Sequence, residues 1–338
     1  MKKIRAAIIG FGGIARAHAV GYRLLAEEGA PVELVAVCDV DPKRFEGAIA
    51  INMGADAASL PAGTHTYTDV GALIKSEDFD MADICLPTYL HKEYAVRLLA
   101  AGKHVLSEKP MALTGADCRE MIAAAKAADR RLMIGQCLRF NTHYSFLQDC
   151  VEDGRYGKLR HLFMERLSAL PTWGYEQWFQ KTECSGGCIL DMHIHDVDMA
   201  RYLLGEPEAV STVAMDGRVR WQVENTRLYY KDSMIVINGS WDEATGTPFR
   251  AGFRARFERA SLLYDGASIT VCPDGGERFA APLTVANHMA EEIGYFASLI
   301  LDPEKKNEKN PPESACRTVE LVELLCKSAD NGSKIIQL

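Results

Sequence analysis

Three groups of residues have types and spacings that could do chemistry. In the first, Glu108-Lys109-Pro110 follow a short apolar run, His104 to Ser107, so a carboxylate, an amine and a rigid ring arrive together where a strand should end. Pro110 fixes its own φ and restricts Lys109 to extended backbone, so the main chain sets the direction of the lysine side chain. The carboxyl ends of parallel strands are where such sheets bind ligands, and an amine mounted there can take or return an alcohol proton. The plain alternative is a surface lysine paired with Glu108. Turning the strand end sharply while holding Lys109 toward a ligand calls for a cis Lys109–Pro110 bond.

In the second group, "IIGFGGIA" sets Gly10, Gly12 and Ala15 at G-x-G-x-x-A spacing, with Phe11, Gly13 and Ile14 completing the loop and the helix start. Glycines there allow a tight turn and close approach of a pyrophosphate, which the helix N-terminus attracts with its amides and dipole. Asp39 ends the next apolar run, "VELVAVCD", 29 residues beyond Gly10. A carboxylate at that point accepts both ribose hydroxyls and repels a 2′-phosphate, which selects NAD over NADP. The alternatives are a glycine-rich turn, and an aspartate that merely precedes the Asp41-Pro42 turn.

The third group is Asp191, His193 and His195. If 188–204 is one helix, Asp191 and His195 share a face, and a histidine titrating near neutrality can carry protons to solvent. Cys184 and Cys188 invite a zinc reading with Asp191 and His195. Cys-x3-Cys followed so closely by both other ligands is no familiar zinc spacing, and no metal is expected. A hydrogen-bonded helix start is the bland reading. Arg139 either reaches a substrate or seals a domain junction. Trp173 and Trp178, just before the third group, could stack on a sugar or serve as core. His91 either lines the cofactor loop or opens a helix.

These groups need elements to hold them. Strand and helix patterns alternate to residue 137: "IRAAIIG", a helix over 14–29, "VELVAVCD", "MADICLP", "HKEYAVRLLAAGK", "HVLSEKP" and "RLMIGQC". Alternation with nearly continuous apolar strands predicts a doubly wound parallel sheet. Beyond Gln136 the strands lengthen and alternate in polarity, as in "LRHLFMERL", "SMIVINGSW" and "FRAGFRARFERA", which predicts a mostly antiparallel sheet with one covered face. Two helices, near 285–301 and 312–329, close the chain. The expected fold is α/β, with an N-terminal Rossmann domain over 1–137 and a C-terminal α+β domain over 138–338 that binds substrate and assembles oligomers.

Composition narrows the function classes. With 48% hydrophobic residues in 338, the chain has material for two cores. A net charge of −8 gives no electrostatic reason to seek nucleic acid or an anionic membrane. No apolar run reaches the roughly 20 residues that span a bilayer. Lys2, Lys3 and Arg5 before an apolar stretch imitate a signal peptide, but three glycines and Arg16 interrupt it, so it reads as strand, loop and helix. Ten scattered cysteines suggest a reduced, cytoplasmic protein.

With these motifs together, the chain resembles the glucose–fructose oxidoreductase and inositol dehydrogenase family (Gfo/Idh/MocA) over nearly its whole length. "ICLPTYLH" matches the family's cofactor-lining loop, which carries Pro87, Thr88 and His91. "AGKHVLSEKPMA" matches its central motif, and "GGCILDMHIHDVDMARYLLGEPEAV" its substrate-side motif, worded most like inositol dehydrogenases. The resemblance implies Lys109, Asp191 and His195 as catalytic residues, Glu108 as a cofactor-side acid, and Arg139, Trp178 and His193 toward substrate. Leu86 stands where many members have threonine, and His193 where many have glycine.

The resemblance further implies an NAD-dependent dehydrogenase of a sugar, inositol or related polyol, built as a homodimer or homotetramer. A redox-neutral, NAD-retaining enzyme that cleaves glycosides is a second expectation, and a dinucleotide-sensing regulator without catalysis a third. Lys109, Asp191 and His195 occurring together argue against the last.

Overall fold

The computed structural model of the chain describes residues 2–46, 49–51, 54–56, 60–61 and 63–338. They divide into two compact units. The first comprises Met1–Phe140, Trp173–Glu176 and Ala286–Arg317; the second comprises Asn141–Thr172, Gln177–Val285 and Thr318–Leu338.

The first unit is built on β1 (Ile4–Ile9), α1 (Gly13–Glu27), β2 (Val32–Cys38), β3 (His65–Tyr67), α2 (Val70–Ser76), β4 (Met81–Ile84), α3 (His91–Ala100), β5 (His104–Glu108), α4 (Gly115–Ala128) and β6 (Leu132–Gly135). The strands form one sheet in the order β3-β2-β1-β4-β5-β6, and every pairing is parallel. Strand order reverses between β1 and β4, the switch point at which such sheets bind ligands. β4 and β6 are buried at every position, which explains the unbroken apolar wording read in the sequence.

The simple cut expected at 137/138 does not describe this unit, because a later helix, α8 (His288–Leu301), belongs to it. The α8 residues Ile293, Phe296 and Ala297 join the same apolar core as Ile4 and Ile8 of β1 and Tyr22 of α1. The helices approach closely at Gly21, where a Cβ would come within 3.1 Å of the Ala290 nitrogen and 3.2 Å of the Met289 carbonyl carbon. Apolar periodicity marks α8 as a helix and carries no record of which sheet it returns to.

The second unit contains α5 (Thr142–Glu152), β7 (Leu159–Leu167), α6 (Gly187–Asp191), α7 (Ile194–Leu204), β8 (Ala209–Met215), β9 (Val223–Tyr229), β10 (Met234–Ser240), β11 (Arg250–Phe257), β12 (Ala260–Tyr264), β13 (Ile269–Pro273), β14 (Phe279–Ala280) and β15 (Ile336–Gln337). Its nine-stranded sheet runs β14-β13-β12-β11-β7-β10-β9-β8-β15. Only β7 and β10 pair in parallel. Helices α6 and α7 pack on one face. Register puts Phe163, Met234, Val213 and Met215 on the other face, exposed by 37%, 53%, 60% and 53%. The last long helix, α9 (Pro312–Asp330), is divided between the units after Arg317.

Candidate active site

The glycine turn lies in the first unit between β1 and α1. Gly10 has φ +86°, and a Cβ there would meet Leu86 Cδ2 at 2.8 Å and the Cys85 carbonyl oxygen at 2.9 Å. Only glycine combines that backbone with that approach. Gly12 caps α1 with no side chain bonded to the helix's first amides, and nothing lies within 4 Å of where its Cβ would stand. Gly13 and Ala15 are buried and Ile14 half-buried behind this opening. Uncapped amides at the positive end of a helix, beside open space, have the charge and room a pyrophosphate needs.

Asp39 is held in place just beyond β2. Its Oδ2 accepts the Phe11 N–H at 2.7 Å and its Oδ1 the Asp41 N–H at 2.9 Å. Each oxygen keeps a lone pair for a ribose hydroxyl. Phe11 does not line the cofactor as expected. Its ring is fully buried in the apolar core, and its amide is spent on Asp39.

At the far end of β5, Lys109 is half-buried and the Lys109–Pro110 peptide bond is cis. Glu108 is 6% exposed, and its two oxygens face His18 Nε2 at 3.0 Å and the Lys109 N–H at 2.9 Å. Protein groups thus engage both oxygens of the carboxylate expected to face the cofactor. Burial opposes the Glu108 charge, but His18 and Lys109 outweigh burial and hold its pKa below the ordinary value.

His91 opens α3 and likewise spends its ring on protein groups. Its Nδ1 lies 2.8 Å from the Pro110 carbonyl and its Nε2 2.8 Å from the Leu86 carbonyl, so the ring ties the two site loops together. Burial pushes its pKa down although both carbonyls favour the cation. Thr88 is 2% exposed, turned inward rather than toward a ligand, while Pro87 is half-buried and starts the short turn before α3.

Beneath Glu108 lies a set of groups that the sequence reading missed. His18 of α1 is fully buried, with Nδ1 2.8 Å from Asp83 Oδ2 on β4. The Tyr22 hydroxyl donates to the same Asp83 oxygen at 3.0 Å. Among the described residues, His18, Asp83 and Cys85 bring three atoms of ligand type within 4.8 Å of one another. Both His18 nitrogens already face carboxylates, so this geometry is that of a hydrogen-bonded ion pair. A signal existed: Asp83 is a charge inside the apolar run "MADICLP" and His18 lies on the buried stripe of α1. Buried polar groups are the informative exceptions.

In the second unit the expected helix over 188–204 is broken. α6 ends at Asp191, Met192 and His193 turn, and α7 restarts at Ile194. The Met192 and His193 amides both donate to the Cys188 carbonyl, at 2.9 Å each. Asp191 therefore closes one helix and the half-buried His195 opens the next. Asp196, beside His195, is fully buried and takes a bidentate contact from Arg166 of β7, 3.0 Å on each side. That pair anchors the start of α7 to the sheet.

His193 does not reach toward substrate. It is fully buried, with Nε2 2.9 Å from the Thr226 hydroxyl and Nδ1 3.5 Å from Glu224 Oε1. Burial pushes the Glu224 carboxyl up to about 8 and the imidazole of His193 down to about 3. Both groups are neutral near pH 7.

Arg139, expected either at a substrate or at a domain junction, is engaged inside the first unit. It is 1% exposed, within the first unit, and donates to the Lys309 carbonyl at 3.1 Å and the Ser314 hydroxyl at 2.8 Å. Trp178, in the second unit, is half-buried with one face stacked on Phe179 at 4.0 Å. Trp173 is half-buried and is grouped with the first unit. All ten cysteines are free thiols, and among the described residues no helix is long and apolar enough to cross a membrane.

Comparison with known proteins agrees with this construction. Residues 4–136 match the model of the oxidoreductase family with an NAD-binding Rossmann fold, and residues 144–259 match the GFO/IDH/MocA C-terminal domain. Myo-inositol 2-dehydrogenase of Thermotoga maritima is 33% identical over 69% of this chain and 64% of its own length. Levoglucosan dehydrogenase of Pseudarthrobacter phenanthrenivorans is 28% identical over 63% of this chain and 54% of its own. The match thus spans less than two thirds of either relative. The aldose-aldose oxidoreductase of Caulobacter crescentus, solved with glycerol, superposes with a TM-score of 0.84 at 24% identity over 100% of both chains, which establishes a common fold. With family models matching both its N-terminal and C-terminal regions, the chain belongs to the Gfo/Idh/MocA oxidoreductase family.

Proposed function

We propose that the protein is an NAD-dependent dehydrogenase that oxidises a CH–OH group of a sugar, inositol or related polyol. The observation that carries this reading is the mounting of Lys109 at the carboxyl end of a parallel strand. The same unit also contains an uncapped glycine turn and a fixed Asp39. The names of the relatives, inositol and levoglucosan dehydrogenases, support the substrate class.

The amides at Gly12, Gly13 and Ile14 would hold the pyrophosphate, Gly10 and Ala15 would shape the turn, and Asp39 would accept the ribose hydroxyls. Pro87 would border the nicotinamide half. Bound NAD supplies a hydride acceptor at nicotinamide C4. Lys109, in the first unit, would take the proton from the substrate hydroxyl, and Asp191 and His195, in the second unit, are the further groups proposed for acid–base work. Trp178 offers an aromatic surface for a sugar ring.

Asp39 favours NAD over NADP, because a 2′-phosphate would meet its carboxylate. The exposed sheet face bearing Phe163, Val213, Met215 and Met234 supports a homodimer or homotetramer, since an apolar patch of that kind marks an interface. The free cysteines support a cytoplasmic location.

The test is a panel of inositols, aldoses and anhydrosugars with NAD or NADP, read as absorbance of the reduced cofactor, with light scattering for assembly. Net NADH formation with a free polyol or sugar is expected. Cleavage of a glycoside without net NADH would replace this reading with the redox-neutral one.

A further inference from the structure

The buried ion set under Glu108 has a geometry that the proposed reaction does not explain. His18 Nδ1 lies 2.8 Å from Asp83 Oδ2, and His18 Nε2 lies 3.0 Å from Glu108 Oε1. A neutral imidazole has one N–H and would turn a lone pair toward one of the two carboxylates. Only the imidazolium donates to both. Burial alone would strip its proton, but Asp83, with the Cys85 sulfur beside it, outweighs burial and raises the His18 pKa well above 6.5. The other Glu108 oxygen then accepts the Lys109 amide at 2.9 Å. A continuous chain of charged hydrogen bonds therefore runs from Asp83 on β4, through His18 on α1, to the backbone of the lysine at the end of β5.

We propose that His18 is a positioning residue for Lys109: as an imidazolium clamped between Asp83 and Glu108, it keeps Glu108 ionised and aimed at the Lys109 amide. The groups facing His18 are Tyr22 from its own helix, Asp83 and Cys85 from β4 and its end, Glu108 and Lys109 from the end of β5, and Glu292 and His288 from α8. Glu292 is fully buried, and burial and the nearby Glu108 raise its pKa well above 4.5. Without the His18 cation, Glu108 and Asp83 would be two buried carboxylates that lose the one cation they share, and Glu108 would keep only Lys109 as a counter-charge. Glu108 would then take up a proton at ordinary pH, and its bond to the Lys109 amide would weaken.

This inference rests on the reading of Lys109 as the acid–base residue only for its consequence, and its direct test needs no turnover. The full chain, labelled with ¹⁵N-lysine, is titrated from acid to alkaline pH, and the Lys109 amide is assigned from its absence in Lys109→Met. In wild type that resonance should stay constant from above the normal carboxylate range until His18 loses its own proton on the alkaline side. In His18→Gln it should titrate, with a midpoint raised by about 1–3 pH units, the size expected for losing a neighbouring opposite charge. Glu108→Gln in the same background should abolish the titration. With myo-inositol and NAD, kcat/KM of His18→Gln should gain an acid limb at the same midpoint.

Near-UV circular dichroism reports whether His18→Gln folds. If it does not, Asp83→Asn supplies the second arm. It keeps His18 but removes the charge that holds its proton, so the Lys109 amide should shift on the alkaline side, at lower pH than in wild type. An unmoved Lys109 amide in a folded His18 or Asp83 variant overturns the proposal, as does an activity loss uniform across pH. Full turnover in Lys109→Met would instead overturn the reading of the reaction, and the amide titration alone would then decide the role of His18.

Discussion

His91 Nδ1 lies 2.8 Å from the carbonyl oxygen of Pro110, and the other nitrogen of the same ring lies as close to the Leu86 carbonyl. One buried side chain thus spans the loops that follow β4 and β5. The strand ends at which ligands bind in this fold are tied together by an imidazole that need not touch a ligand itself.

Replacing that tie should cost stability before it costs chemistry. His91→Ala leaves a buried carbonyl without its donor, at about 1–3 kcal/mol. The urea midpoint should fall accordingly, and NAD should bind more weakly because the Pro87 loop loosens. A midpoint equal to wild type would mean that water replaces the ring and that the loops do not depend on it.

Asp39 should govern cofactor choice. Asp39→Ala removes the ribose acceptor and the repulsion toward a 2′-phosphate, and it releases the Phe11 and Asp41 amides. Dissociation constants from fluorescence titration should rise about tenfold or more for NAD and change less for NADP. A wild-type preference for NADP would contradict this assignment.

The pair Glu224 and His193 should leave opposite marks on the pH dependence of stability. The carboxyl of Glu224 is raised from 4.5 to about 8, so between about 4.5 and 8 the folded state keeps a proton that the unfolded chain has lost. Its contribution to stability therefore falls as pH rises through that window, by up to about 1.4 kcal/mol per pH unit. His193 is lowered from 6.5 to about 3, and its contribution is lost in the other direction, as pH falls below 6.5. Glu224→Gln should flatten the decline in urea unfolding between pH 6.5 and 8, where His193 no longer opposes it, and steepen the rise of stability with pH between 4.5 and 6.5. An unchanged slope would show that Glu224 is ionised in the folded protein.

The parts of this site that are contiguous in the chain were legible in the sequence. Gly10, Gly12 and Asp39 follow from the local chemistry of one strand–helix–strand unit, and Lys109 from its proline. What was not legible depends on distant packing. His18 meets Asp83 across 65 positions and Glu108 across 90. No local period records that meeting, although a charge in an apolar strand hinted at it. Arg139 looked like a substrate ligand because a lone arginine after a strand carries no mark of the Lys309 carbonyl or Ser314 hydroxyl that engage it. The helix break at Met192 and His193 was missed because apolar spacing continues through it. His193 was assigned to the substrate because a pattern match says where a residue stands in the chain and nothing about which way it points. Its neighbours Thr226 and Glu224 come from a strand about 30 residues away, and they turned it inward.

The most direct test of the central claim is Lys109→Met, which keeps the length of the side chain and removes its titratable group. Turnover of an accepted polyol should fall by roughly 10²–10⁴-fold, the range for loss of one acid–base group. NAD affinity, measured by direct titration of the folded variant, should change little, because the glycine turn and Asp39 hold the other half of the cofactor. Equal loss of NAD binding and turnover would make Lys109 a cofactor clamp, and unchanged turnover would contradict an acid–base role for it outright.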